Sequence, residues 1–326
     1  MSDRTAVARA TRVVSFGHTG PTLLVHRFAK RTGWEFPLAL FTSVEEVRSR
    51  LATTGYLADE ATATSVFVAD ALSKPLLVEG PAGTGKTELA KAVAATAGAR
   101  LVRLQCYEGL DEARALYEWN YRKQLLRIQA AREAGEHAGW DELQDDIFGP
   151  AYLLERPLLA AIRGGGPTVL LIDETDKADV EFEALLLEVL SDFQVTVPEL
   201  GTIRAEQLPF VVLTSNASRE LSEALKRRCL YLHSDYPAAD LERDIVLARV
   251  PGASAELAAQ VVRAIRVLRG LELRKPPSIA ETIDWTRTVL ALGAPGLDDA
   301  TAAATLGVVL KHATDQTRAR EALALG

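Results

Sequence analysis

Three runs of the chain are apolar almost without interruption and too short for helices: PLLVEG at 75–80, TVLLI at 168–172 and FVVLT at 210–214. A strand with one face in water alternates, whereas a strand covered on both faces does not, so these runs predict central strands of a parallel sheet. Helical periodicity lies between and around them. KTELAKAVAATAG follows the first run, and the stretch 42–75 predicts two helices, the first capped by Thr42 or Ser43 with Glu45 and Glu46 in its opening turn. Strands alternating with helices over residues 41–236 predict an α/β layered domain. Beyond Pro237 the strand signals stop. The stretches 240–250, 253–270, 278–293 and 298–324 all fit helical spacing and predict a smaller, all-α domain over 237–326.

Three segments fall outside this alternation. Two β-rich runs around Pro198 and Gly201, within 192–210, predict a hairpin just ahead of the third strand. Residues 107–149 are far longer than a minimal crossover and read as a helical insertion. Its Tyr107, Tyr117, Trp119 and Tyr121 read as ordinary packing rather than as a grip on another protein. Residues 1–40, poor in acids and rich in Arg and Thr, read as a loosely ordered extension rather than a targeting segment.

Composition narrows the function classes. The 326 residues are 48% hydrophobic, enough for a sizeable core, and carry a formal charge of −7 with a pI near 5.4. That balance disfavours a general binder of phosphate backbones, so no nucleic-acid partner is expected. No run stays apolar over a membrane-spanning length, so no membrane insertion is expected. Cys106 and Cys229 lack metal-ligand spacing and the five histidines are dispersed. Both thiols read as reduced core residues of a cytoplasmic protein.

The chemistry sits at the ends of the predicted strands. GPAGTGKT, Gly80 to Thr87, fits the phosphate-loop pattern and lies between a strand and a helix, where its backbone N–H groups and the positive helix end can face phosphate oxygens. Gly80, Gly83 and Gly85 let the loop wrap closely, Lys86 reaches the β- and γ-phosphates, and Thr87 offers a hydroxyl to Mg²⁺. Pro81, Ala82, Thr84 and Glu88 complete the candidate ATP-binding stretch. TVLLIDETDKA carries Asp173, a candidate for the metal shell, and Glu174, a candidate proton acceptor for attacking water. Asp176 and Lys177 read as a solvated helix start. Asn216, after the third strand, can position the lytic water if that strand lies between the other two. The stretch ALKRRCLYL gathers Lys226, Arg227 and Arg228, which taken alone is a cation cluster complementing a helix C-terminus.

Phosphate loop, acidic strand, Asn strand, paired arginines and helical lid follow one another in an order that resembles AAA+ P-loop ATPases. From about residue 41 onward the chain is similar to the MoxR group, and within it to the branch linked to maturation of carbon monoxide dehydrogenase and related molybdenum hydroxylases. The stretches that carry this are LLVEGPAGTGKTELAKA, RLQCYEGLDEARALYEWNY, LLIDETDKAD and LTSNASRELSEALKRRCLYLHSDYP. The resemblance implies a Mg²⁺-dependent ATP hydrolase assembled as a homo-oligomeric ring, a hexamer, in which Arg228, with Arg227 as the adjacent candidate, reaches the γ-phosphate held by a neighbouring subunit. It also implies a chaperone acting on a client enzyme with a von Willebrand factor A-domain partner. The alternatives are a P-loop small-molecule or nucleotide kinase and a nucleic-acid-stimulated NTPase. One position departs from the pattern. Where many AAA+ lids carry an arginine this chain has Ala280, leaving Arg274 or Lys275 as cations that can reach the nucleotide.

Overall fold

The computed structural model describes residues 40–133, 144 and 146–325. The extension expected over 1–40 therefore lies, save for Leu40, outside the described residues, as does part of the insertion. All described residues fall in one compact unit.

In chain order the first part comprises α1 (Val44–Thr53), α2 (Glu60–Leu72), β1 (Leu76–Glu79), α3 (Lys86–Ala97), β2 (Arg100–Gln105), α4 (Glu112–Ala115), β3 (Tyr117–Trp119), α5 (Tyr121–Glu133), β4 (Leu153–Glu155) and α6 (Pro157–Ile162). It continues with β5 (Thr168–Asp173), α7 (Val180–Asp192), β6 (Gln194–Val197), β7 (Gly201–Arg204), β8 (Phe210–Ser215), α8 (Glu223–Arg228) and β9 (Leu230–His233). Then come α9 (Ala239–Arg249), α10 (Ala255–Arg269), α11 (Ile279–Ala291), α12 (Asp299–Val309) and α13 (Ala313–Ala322).

The five-stranded sheet runs β2-β5-β8-β1-β9, with every neighbouring pair parallel. Every residue of β5 and β8 is buried, which explains why neither alternates in sequence. The period of two distributes their side chains over two cores. Leu76, Val78, Val169, Leu171 and Val212 point to the face covered by α1, α2 and α3, while Leu77, Leu170, Ile172, Val211 and Leu213 meet α6, α7 and α8. Ser43 is the cap of α1 and accepts from the Glu46 amide.

The expected hairpin is present as β6 and β7, paired from Gln194↔Arg204 to Val197↔Gly201. The insertion is not purely helical: β3 and β4 pair antiparallel, from Tyr117↔Glu155 to Trp119↔Leu153. Trp119 is buried and meets Phe148 edge-on at 5.2 Å between ring centres. The packing expectation holds for Trp119 and the half-buried Tyr117, but Tyr107 and Tyr121 are exposed.

In the helical part a third core surrounds the fully buried Trp285, whose indole N–H donates to Thr305 Oγ1 at 2.7 Å. The last helical stretch is two helices rather than one. Leu310 turns extended, with φ −119° and ψ 118°, and the Lys311 ammonium caps the freed carbonyls of Gly307 and Val308.

Candidate functional site

The C-terminal ends of β1, β5 and β8 open on one cleft of about 690 Å³, roofed by the helical part. Because β8 lies between β5 and β1, Asn216 reaches the same cleft as Lys86, Thr87, Asp173 and Glu174. This is the arrangement on which the Asn216 expectation depended.

The loop between β1 and α3 is crowded at two glycines. A Cβ on Gly80 would lie 1.9 Å from the Ser234 carbonyl oxygen. Gly83 has φ +78°, and a Cβ there would stand 2.3 Å from the Ser278 side chain at the start of α11. The Ile279 amide donates to the Gly83 carbonyl at 3.3 Å, so the lid helix begins directly on the loop. Lys86 is buried and donates to the carbonyls of Gly80 at 2.7 Å and Pro81 at 2.6 Å. Gly80 and Pro81 thus stand behind the amine, while residues 82–88 line the cleft. Burial pulls the Lys86 amine below its ordinary pKa, against the pull of Asp176, Asp173, Glu174 and Glu79.

Asp173 ends β5 and is 2% exposed. Its Oδ1 accepts from the hydroxyls of Thr214 at 2.6 Å and Thr87 at 3.0 Å, and its Oδ2 accepts from Arg103 Nη2 at 2.6 Å and Nε at 3.0 Å. Glu174 sits in left-handed backbone geometry, with φ +56°. Its amide donates to Thr214 Oγ1 at 2.9 Å, and its Oε2 accepts from Gln105 Nε2 at 2.9 Å.

Asp176 is not a solvated helix start. It is 3% exposed and accepts from the amides of Asn216 at 3.1 Å and Ser218 at 3.0 Å and from the Ser218 hydroxyl. Burial alone would raise its carboxyl, but those donors outweigh burial and hold it below the usual carboxylate range. The group therefore fastens the turn that presents Asn216. Lys177 is exposed, as expected.

Arg227 and Arg228 lie on α8, outside the lining of this cleft, and both are exposed; Arg228 donates to the Leu187 carbonyl. The expectation that Arg274 or Lys275 reaches the nucleotide site is overturned, since neither lines the cleft. The exposed Lys275 amine lies 3.9 Å from Glu281 Oε1, and Glu281 also accepts from the Ser278 amide at 2.9 Å. The lid cations in the cleft are Arg249 and Arg287. Arg249 Nη2 is 3.6 Å from Glu88 Oε2, and Arg287 Nη2 donates to the Arg249 carbonyl at 3.2 Å. Sequence reading missed both. The available signal was that Arg287 follows Ala280 by two helical turns and so shares its face.

The donor set suits a nucleotide with a hard divalent cation. Among the described residues no cluster of three His, Cys, Asp or Glu side chains is placed to hold a metal. At the start of α3 the Thr87 hydroxyl and the Asp173 carboxylate meet near a buried amine and a helix N-terminus, which matches an ion such as Mg²⁺ that keeps several waters and shares its shell with phosphates. Among the described residues no helix is long and apolar enough to cross a membrane.

Comparison with known proteins bears on the same region. Residues 75–229 match the family model of the AAA domain (dynein-related subfamily). The uncharacterized protein SH1500 of Staphylococcus haemolyticus is 27% identical over 54% of this chain and 60% of its own length. The uncharacterized protein SAB1265c of Staphylococcus aureus is 26% identical over the same shares. The chain thus spans about 60% of the length of the curated relatives it matches. Among solved structures, the Thermotoga maritima RuvB Holliday junction branch migration motor aligns with a TM-score of 0.43 and 16% identity, covering 80% of this chain and 69% of that one. A variant of the same motor aligns at 0.42 and 17%, covering 90% and 75%. The parallel sheet with its phosphate loop, acidic strand and Asn strand is an AAA+ fold, and residues 75–229, which supply four of its five strands, match the AAA domain.

Proposed function

We propose that this chain binds MgATP in the cleft and hydrolyses it as a ring, completing each site with an arginine from the neighbouring copy. The observation that carries the reading is the convergence of Lys86, Thr87, Asp173, Glu174 and Asn216 on one cleft at the ends of three parallel strands. In it the loop amides and Lys86 hold the phosphates, with the Lys86 amine exchanging its two carbonyl acceptors for phosphate oxygens. Thr87 and Asp173 hold the metal shell; the ion, when bound, neutralises charge developing on the phosphates. Glu174 takes the proton of the attacking water, which the Asn216 amide positions without competing for that proton. Arg228, with Arg227 beside it, stands outside its own cleft and so serves a neighbour's γ-phosphate, in a hexamer by resemblance to the MoxR group. By the same resemblance the ring is a cytoplasmic chaperone that remodels a client, a molybdenum or other metal enzyme, with a von Willebrand factor A-domain partner.

The test is a mixing experiment. Glu174→Gln should bind MgATP and lose at least about a hundredfold in turnover, the scale of a general base. Arg228→Ala should bind ATP normally and turn over poorly. Mixing the two restores activity, because the Gln-bearing copy lends its Arg228 to an intact site next door. Mixed samples that stay inactive although both proteins bind ATP would refute the shared site.

A further inference from the structure

Both acidic residues at the end of β5 are gripped from the neighbouring strand. Arg103 and Gln105 are two apart on β2 and share one of its faces. The register Gln105↔Asp173 brings them against the cleft end of β5. Arg103 gives two hydrogen bonds to Asp173 Oδ2 and donates also to Gln105 Oε1, and Gln105 gives its amide N–H to Glu174 Oε2. An amide whose oxygen is held by a guanidinium must present its NH₂ on the other side, so Arg103 fixes which end of Gln105 faces Glu174. The four side chains form one chain of contacts: Asp173, Arg103, Gln105, Glu174.

The Asp173 carboxylate has no acceptor capacity left over. An ionised carboxylate offers about four lone-pair sites. Here Thr214 and Thr87 take Oδ1, and the two guanidinium bonds take Oδ2, where Thr87 also lies at 3.3 Å. The carboxylate is buried, but the Arg103 side chain is 49% exposed and has solvent to swing into. A divalent cation approaching Asp173 meets a fixed positive charge that must yield.

We propose that Arg103 competes with the divalent cation for Asp173, so that loading the metal displaces the guanidinium from the carboxylate. Arg103 is a positioning residue in this scheme. The inference rests on the reading of Asp173 as the metal-holding group given above.

The experiment is a Mn²⁺ titration followed by electron paramagnetic resonance, with saturating ADP, on the full chain. Arg103→Gln should tighten Mn²⁺ binding about tenfold, the lower end of the effects that outer-sphere partners have on metal affinity. Arg103→Lys, which keeps a cation with fewer bonds, should fall between Gln and wild type and serves as the second variant if Arg103→Gln folds poorly. A supporting outer-sphere residue would behave in the opposite way, so weaker or unchanged Mn²⁺ binding in both Arg103 variants overturns the competition. Asp173→Asn distinguishes the two levels. If it binds Mn²⁺ as tightly as wild type, the metal-holding reading of Asp173 falls, and this inference with it.

Discussion

Replacing Arg269 by Ala should destabilise the helical part more than any surface change on it. Arg269 and Glu242 form a bidentate pair, Nη1 to Oε2 at 2.7 Å and Nη2 to Oε1 at 2.8 Å, with side-chain exposures of 9% and 0%. Arg269 also donates from Nε to the Pro277 carbonyl at 2.7 Å, and its guanidinium lies 4.1 Å from the centre of the Tyr236 ring. One side chain therefore joins α9, α10, the approach to α11 and the connector from the sheet. Truncating one partner of a buried pair costs about 3–5 kcal/mol, because the other charge is left uncompensated. The lost ring contact adds about 0.5–1 kcal/mol, so a total near 5 kcal/mol is expected. Removing the charge from both sides should cost far less. In Glu242→Leu with Arg269→Met no buried charge remains, and Thr282, which donates to Glu242 Oε1 at 2.7 Å, keeps the Ser278 carbonyl as an acceptor at 3.0 Å. Urea unfolding of wild type, both single variants and the double variant gives the coupling directly. A cost for Arg269→Ala below about 1 kcal/mol, or a double variant as unstable as the summed singles, would refute the reasoning.

What the sequence showed and what it hid differ in the distance over which the information is carried. The phosphate loop is contiguous, so its glycines, lysine and threonine could be read together, and the continuous burial of β5 and β8 made their carboxylate and amide ends visible. Asp176 was misread because its donors, Asn216 and Ser218, are about forty residues away and arrive only when β5 pairs with β8. Arg103 lies on an edge strand and half in water, so it has the pattern of a solvated residue; its partner is 70 residues on, fixed by the strand register. Strands of three residues such as β3 and β4 are too short to show a period, which hid the small sheet in the insertion. The lid cations were sought in the turn before α11, whereas the helix itself carries Arg287 round to the face that Ala280 occupies.

Two further expectations concern the closure of the cleft and the base of the sheet. Gly83→Ala adds a Cβ at 2.3 Å from Ser278 on left-handed backbone, which costs about 1–2 kcal/mol locally and lifts the start of α11 from the loop. ADP affinity measured by calorimetry should fall and should partly recover when Ser278→Gly is added; equal affinity in all three proteins would separate the loop from the lid. Asp70, which accepts the Phe41 amide at 3.0 Å, is pushed by burial to a pKa of about 6 from 3.8, with the backbone bonds of Phe41 and Leu40 opposing the rise. An acid whose folded pKa is raised binds more protons folded than unfolded over that window, so its contribution to stability falls as pH rises from 3.8 to about 6. Asp70→Asn removes this titration while keeping an oxygen acceptor for the Phe41 amide. The urea midpoint of the variant should therefore gain on that of the wild type as pH rises through the window, with no difference in trend above it. A variant midpoint that instead loses ground to wild type as pH rises would mean that the ionised carboxylate stabilises the fold, and that its bonds to the backbone outweigh its burial.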